Sequence, residues 1–349
     1  MKKLFLLFLL SLGFIGNSSA GEVENNILKL KALKNCENCN LVGAKLSANS
    51  LNNVDLSGAN LSDSDLSMSN LSGANLSNAD LTGADLTRAN LFETDLSRAI
   101  LNKTILTATD LTQTIFSKNL TELILISANL KSKDFSGKIL VKANLENSNL
   151  QYINLNDADL SNANLSYANL KNASLMESNL YAADLSNADL SNANLSNADL
   201  SNANLYLAKL NEADFSGANL YLAEFIGAVL KSANFQSANL IGTNFYKANL
   251  IRSDLSNLNL TGSYLEGADL RFTKLISADL KGLNLTGVNF SGANLSGADL
   301  SGANLTSVYF NNSNLTGANL SGADFTGTVI DGATLCKTIL PWGEENSGC

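Results

Sequence analysis

Ala74-Asn75-Leu76-Ser77-Asn78-Ala79-Asp80-Leu81-Thr82-Gly83 states one five-residue pattern twice: Ala, Asn or Asp, Leu, Ser or Thr, then a small or variable residue. Outward from this stretch, Leu or Phe recurs every fifth residue from Leu41 to Phe116. After a single four-residue step it recurs again from Leu120 to Leu340, with Ile330 as the one exception. The first block holds 16 repeats and the second 45. Within a repeat a small and a large apolar residue alternate across one polar position, as in a half-buried extended segment. The two following residues break that alternation, which neither a long strand nor a helix would do. A chain that turns a corner every five residues fits, with Ala and Leu pointing inward and the other three outward. Repetition on this scale decides the fold before any other signal.

The pattern resembles the pentapeptide-repeat family, whose consensus is A-(D/N)-L-x-x. The resemblance implies an all-β fold: a right-handed, four-sided parallel β-helix, with four repeats to a coil. Unusual residues recur at the twenty-residue spacing this requires: Phe215 and Phe235, Phe225 and Phe245, Phe290 and Phe310 followed by Ile330, and Val288 with Val308. At four repeats per coil the chain makes about 15 coils, or roughly 70 Å at strand spacing. Outward Asn residues can stack between coils, and placing Asn179 between Asp159 and Asp199 avoids like-charge repulsion.

The first residues read differently. Lys2 and Lys3 precede an apolar run from Leu4 to Ile15, which ends in Asn17-Ser18-Ser19-Ala20. That is the layout of a secretory signal peptide, expected over 1–20, and the run is short of the ~20 residues a membrane helix needs. The expectation is an exported chain, periplasmic or secreted, with no membrane insertion after cleavage. Formal net charge is −9, which opposes direct binding to nucleic acid or an anionic membrane. His is absent, so there is no Ser-His-Asp or Cys-His arrangement and the commonest metal ligand is missing. An enzyme, a cofactor and a metal site are therefore not expected.

The ends need covering, because an open coil exposes unpaired edges. An N-terminal cap is expected over 21–40, with Ile27, Leu30 and Lys34 at helical spacing in a short helix from Asn25 to Lys34. A C-terminal cap is expected over 341–349, where Trp342 would cover the last coil; a carbohydrate-binding Trp is the other reading. The four cysteines lie at the two ends. An oxidising compartment favours disulfides, and Cys336–Cys349 would close a loop worth roughly 3 kcal/mol. Cys36–Cys39 is the tighter pairing, and a redox Cys-x-x-Cys the alternative to it. Secreted members of the family resemble this chain at both ends.

Between the first block, 41–116, and a regular second block, 141–340, lies an irregular coil at 117–140. Counting by fives puts Lys118, Lys133 and Lys138 where Ala normally points inward, so the coil is expected to bulge, open or supply a carboxylate. A second irregularity is apolar and outward: Tyr206, Ile226 and Tyr246 follow one face, Tyr221 and Ile241 the next, with Leu207, Leu222 and Ile251 beside them. Contiguous exposed apolar surface marks an interface. The function this supports is a non-enzymatic scaffold presenting a surface to a protein or envelope component, with a homodimer as one form. The family offers an alternative, because some cytosolic members are acidic DNA mimics that bind topoisomerases.

Overall fold

The computed structural model describes residues 19–349, so the signal-peptide segment lies outside the described residues except for Ser19 and Ala20. The chain forms two compact units. One runs through Lys133 and includes Gly137–Asn149; the other comprises Asp134–Ser136 and Leu150–Cys349.

Each unit is built from coils of parallel β-bridges. In the first, Asp55 pairs with Asn75 and Asn60 with Asp80; in the second, Asp159 pairs with Asn179 and Asp199 with Asn219. The bridge partner is twenty residues on, so four repeats make one coil. The Leu and Phe positions are almost all fully buried, and most Ala positions between them are too. Phe215 stacks on Phe235 with ring centroids 5.2 Å apart, and Phe225 on Phe245 at the same distance. Phe290 stacks on Phe310.

Two local devices make each corner. The carboxyl or amide oxygen of Asp or Asn accepts the N–H two residues on, and often the hydroxyl there as well. Ser57 N–H and Ser57 Oγ both donate to Asp55 Oδ1, at 3.0 and 2.7 Å. This Asx turn explains why Ser or Thr follows Asn-Leu or Asp-Leu. A type II β-turn follows, in which Ala59 N–H donates to Leu56 O at 3.0 Å. Its third residue, Gly58, has φ +65°, as such a turn demands.

Helix α1 runs Ser19–Leu33, with Glu22 in its first turn and Lys31 in its last, each complementing the helix dipole. It starts six residues before the expected Asn25 and ends one before Lys34, which takes φ +57° as the left-handed cap. Lys34 N–H donates to Leu30 O, the usual closure of such a cap. Of the three residues expected to anchor the helix, Leu30 is buried, Ile27 is half-buried and Lys34 is exposed. Asn26 Nδ2 donates to Asn40 O and Asn40 Nδ2 to Glu22 Oε2, docking α1 on the first coil. Cys36 and Cys39 are disulfide-bonded there, with Cα atoms 5.3 Å apart.

The short strands β1 (Asp95–Leu96) and β2 (Ile115–Phe116) pair in parallel. At the C-terminus β3 (Thr338–Leu340) and β4 (Gly343–Glu345) form an antiparallel hairpin. Cys336 and Cys349 are bonded across it. Trp342 meets Phe325 edge-on at 5.2 Å yet remains 65% exposed. It therefore covers far less of the last coil than its place in the sequence suggests. It sits at the hairpin's turn, where the backbone leads away from the inward positions.

Candidate functional site

The outward apolar residues of the second unit stand on a rigid base. Five of the six patch residues that directly follow a buried Leu or Phe donate their N–H to the Asn side chain two positions earlier; Ile226, which follows Glu224-Phe225, does not. The distances are 3.0 Å for Tyr206 to Asn204 Oδ1, 3.3 Å for Tyr221 to Asn219 Oδ1, and 3.1 Å for Tyr246 to Asn244 Oδ1. Ile241 and Ile251 do the same to Asn239 and Asn249. The side chain replaces the usual Ser and projects outward. Tyr206, Leu207, Tyr221, Leu222, Ile241 and Tyr246 are exposed, while Ile226 and Ile251 are half-buried.

Leu207 and Leu222 lie flat across the neighbouring coil. A Cβ on Gly227 would stand 2.8 Å from Leu207 Cδ2, and one on Gly242 would stand 2.7 Å from Leu222 Cδ2. Phe272 repeats the arrangement over Gly292 and is 56% exposed. It was missed in the sequence, although a bulky residue two after Leu with Gly twenty further on is a readable signal. Two cations sit on aromatic rings in this region: Lys247 Nζ is 4.9 Å from the centre of Tyr246, and Arg252 Cζ is 6.0 Å from that of Phe272. These positions could support cation–π contacts.

The bridge positions form polar ladders. Asn179 Nδ2 donates to Asp159 Oδ1 at 3.1 Å, Asn219 to Asp199 at 3.0 Å and Asn204 to Asp184 at 3.0 Å. In these rungs an amide separates the carboxylates, whereas at Asp65–Asp85 and Asp279–Asp299 two carboxylate residues are bridge partners on adjacent coils. At Asp189 burial raises the carboxyl pKa, but the Ser191 hydroxyl and N–H and the Lys171 ammonium outweigh it and hold the group below its ordinary value. Asp254 is lowered in the same way by Ser256 and Lys274 against its burial. Asp65 is lowered chiefly by the Ser67 hydroxyl and Asp324 by that of Thr326. Among the described residues no cluster of three or more His, Cys, Asp or Glu could hold a metal ion, and all four cysteines are in disulfides.

The irregular coil corrects one expectation. Lys118 does not occupy the inward position: Ser117 is buried there and Lys118 is exposed. The missing residue shortens this corner, and Ser117, Lys118 and Asn119 all lack the positive φ of an ordinary turn. Lys133 and Lys138 do sit half-buried at inward positions, and they are held by backbone carbonyls. Lys133 Nζ donates to Thr114 O at 2.5 Å; Lys138 Nζ donates to Ser117 O at 2.9 Å and Phe116 O at 3.3 Å. Burial lowers the Lys133 pKa, the nearby Lys138 charge lowers it further, and Asp110 partly offsets both. The like-charge repulsion is thus between Lys133 and Lys138.

The family model described as pentapeptide repeats matches nine overlapping stretches that cover 39–117, 139–175 and 178–340. No curated protein matches the chain. Among solved structures, HetL is 31% identical; it is a pentapeptide repeat protein involved in heterocyst differentiation regulation from the cyanobacterium Nostoc sp. strain PCC 7120. The match covers 65% of this chain and 92% of HetL, with a TM-score of 0.30. A pentapeptide repeat protein from the Arabidopsis thaliana thylakoid lumen is 37% identical over 29% of this chain and 66% of its own, with a TM-score of 0.22. QnrB1, a plasmid-mediated fluoroquinolone resistance protein, is 18% identical over 60% of this chain and 92% of its own, with a TM-score of 0.32.

Proposed function

The chain belongs to the pentapeptide-repeat family, and from that premise we propose that it is an exported, non-enzymatic interaction scaffold. Its coils, about 15 by the repeat count and right-handed as in its family, hold an apolar surface out to a protein or envelope partner. The observation that carries this reading is that Tyr206, Tyr221, Ile241 and Tyr246 are all exposed on backbone fixed by Asx turns. Disulfides at both ends suit an oxidising compartment, which agrees with the signal-like start of the sequence.

The family's alternative, an acidic DNA mimic that binds a cytosolic topoisomerase, shares the fold and the net charge of −9. Intact mass without reductant, on protein from its native cells, separates the two. Loss of the first 20 residues with four hydrogens missing supports export and ends the DNA-mimic reading. A full-length chain with free thiols reverses the ranking. The surface itself is tested by changing Tyr221→Ser and Tyr246→Ser together. If the patch joins two copies, the double variant sediments as a monomer where the parent dimerises; equal sedimentation of a dimeric parent and its variant removes the patch from that role.

A further inference from the structure

The coil that lacks one residue opens a groove of about 530 Å³ in the first unit, between the segment 98–102 and the segment 117–121. Normally the N–H of a buried Leu, and that of the third turn residue, donate to carbonyls of the next coil. Leu106 donates to Ile124 O and Ala108 to Ile126 O. At the slip two of these carbonyls are taken by side chains: Ser117 Oγ donates to Asn119 O at 2.9 Å, and Lys138 Nζ occupies Ser117 O. The N–H groups of Arg98, Leu101, Lys103 and Asn119 have no hydrogen-bond partner among the described residues. In the segments 98–102 and 117–121 three carbonyls, Arg98 O, Ala99 O and Thr121 O, accept no hydrogen bond among the described residues, so donors are still in excess. Leu101 is 2% exposed, and a buried N–H without an acceptor costs about 1–3 kcal/mol.

The groove's side chains add to the same imbalance. Arg98 and Lys118 line it with Asn102, Asn119 and Thr121, and no Asp or Glu does. The acid nearest in sequence, Glu122, is engaged by Lys103 at 3.9 Å. A donor-rich, cationic recess in a chain of net charge −9 runs against the molecule's own field. Unpaired backbone N–H groups beside cations are the chemistry of an anion site.

We propose that the groove between 98–102 and 117–121 binds an oxyanion, a carboxylate or a phosphate, through the unpaired backbone N–H groups with Arg98 and Lys118 as counter-charges. This site is independent of the apolar patch in the second unit and of the compartment. The experiment is an amide-resolved NMR titration of the full chain with inorganic phosphate, with acetate and with chloride at constant ionic strength. Expected are saturable shifts at Arg98, Leu101, Lys103 and Asn119 with phosphate or acetate but not with chloride. The stronger of the two identifies the anion class. Arg98→Gln combined with Lys118→Gln should weaken binding about tenfold or more, both residues being exposed so that the circular dichroism stays unchanged. Shifts that grow linearly and match those of chloride, or an unweakened affinity in the folded double variant, would overturn the proposal. Should the variant not fold, the wild-type comparison of phosphate and acetate with chloride decides alone.

Discussion

Lys118 and Lys138 stand twenty residues apart, and the same substitution should treat them differently. Lys138→Ala removes the ammonium from Ser117 O and Phe116 O, and leaving buried acceptors bare costs about 1–3 kcal/mol. Lys118 is exposed, so Lys118→Ala should stay within about 0.5 kcal/mol. Urea unfolding of the two variants checks both, and equal losses would contradict the assignment. Lys133 adds a pH dependence. With its folded pKa lowered, the unfolded chain binds more protons between that value and 10.5. Stability therefore rises with pH across that window, and Lys133→Met should flatten the rise. The sequence placed Lys133 and Lys138 correctly but not Lys118. Counting by fives back from Leu120 points to Lys118, but only three residues separate Phe116 from Leu120, so the corner has one residue fewer than the count assumes. Volume and charge decide which residue turns inward, since a Ser fits beside the buried Phe116 without burying an ammonium.

At the scale of the single corner, the Asx turn and the left-handed residue after it were both written in the sequence but not read as such. Ser or Thr after Asn-Leu was read only as polar surface, although its hydroxyl and N–H close the turn on the Asn or Asp oxygen. Gly or Asn in the following place supplies the positive φ. Corners can interlock between coils, as at Leu207 and Gly227. Gly227→Ala should cost about 1–2 kcal/mol for a left-handed residue with a Cβ, with a further penalty because that Cβ meets Leu207 Cδ2 at 2.8 Å. In a Leu207→Ala background the second part should vanish. A double-mutant cycle by chemical denaturation should thus show coupling of about 0.5–3 kcal/mol, and additive losses would mean the two coils do not touch there. Helix α1 was legible in kind but not in extent, because its first turn overlaps the segment read as a cleavage site.

For the molecule as a whole, the ladder of carboxylates sets the acid limit. Asp65, Asp189, Asp254 and Asp324 all have folded pKa values lowered from 3.8. Their contribution is present above that value and is lost as pH falls through the lowered folded values. The isoelectric point, near 4.6, lies higher. An acid titration should give turbidity near pH 4.6 while the protein is still folded, with the circular dichroism signal lost only below 3.8. If both changed together, the carboxylates would not be protected. What the whole sequence displayed most clearly was the core, since five-fold spacing of Leu and twenty-fold spacing of Phe are geometric facts about a coil. Function was less legible because it rests on the outward positions, which the period leaves free to vary.

The 19-residue coil, seen in the bridges Ile105 to Ile124 and Asp110 to Asn129, behaves like a dislocation in a crystal. One lattice step is missing, and the twenty-residue pairing resumes when Asn119 pairs with Ile139 and Ile124 with Asn144. Because the missing step is one residue and not five, the faces are not permuted by a quarter turn and the columns on either side keep their identity. In a solid, impurities segregate to such lines, where bonds are unsatisfied and spacing is open. In a chain this periodic, foreign chemistry has the same preferred address: the place where the count fails.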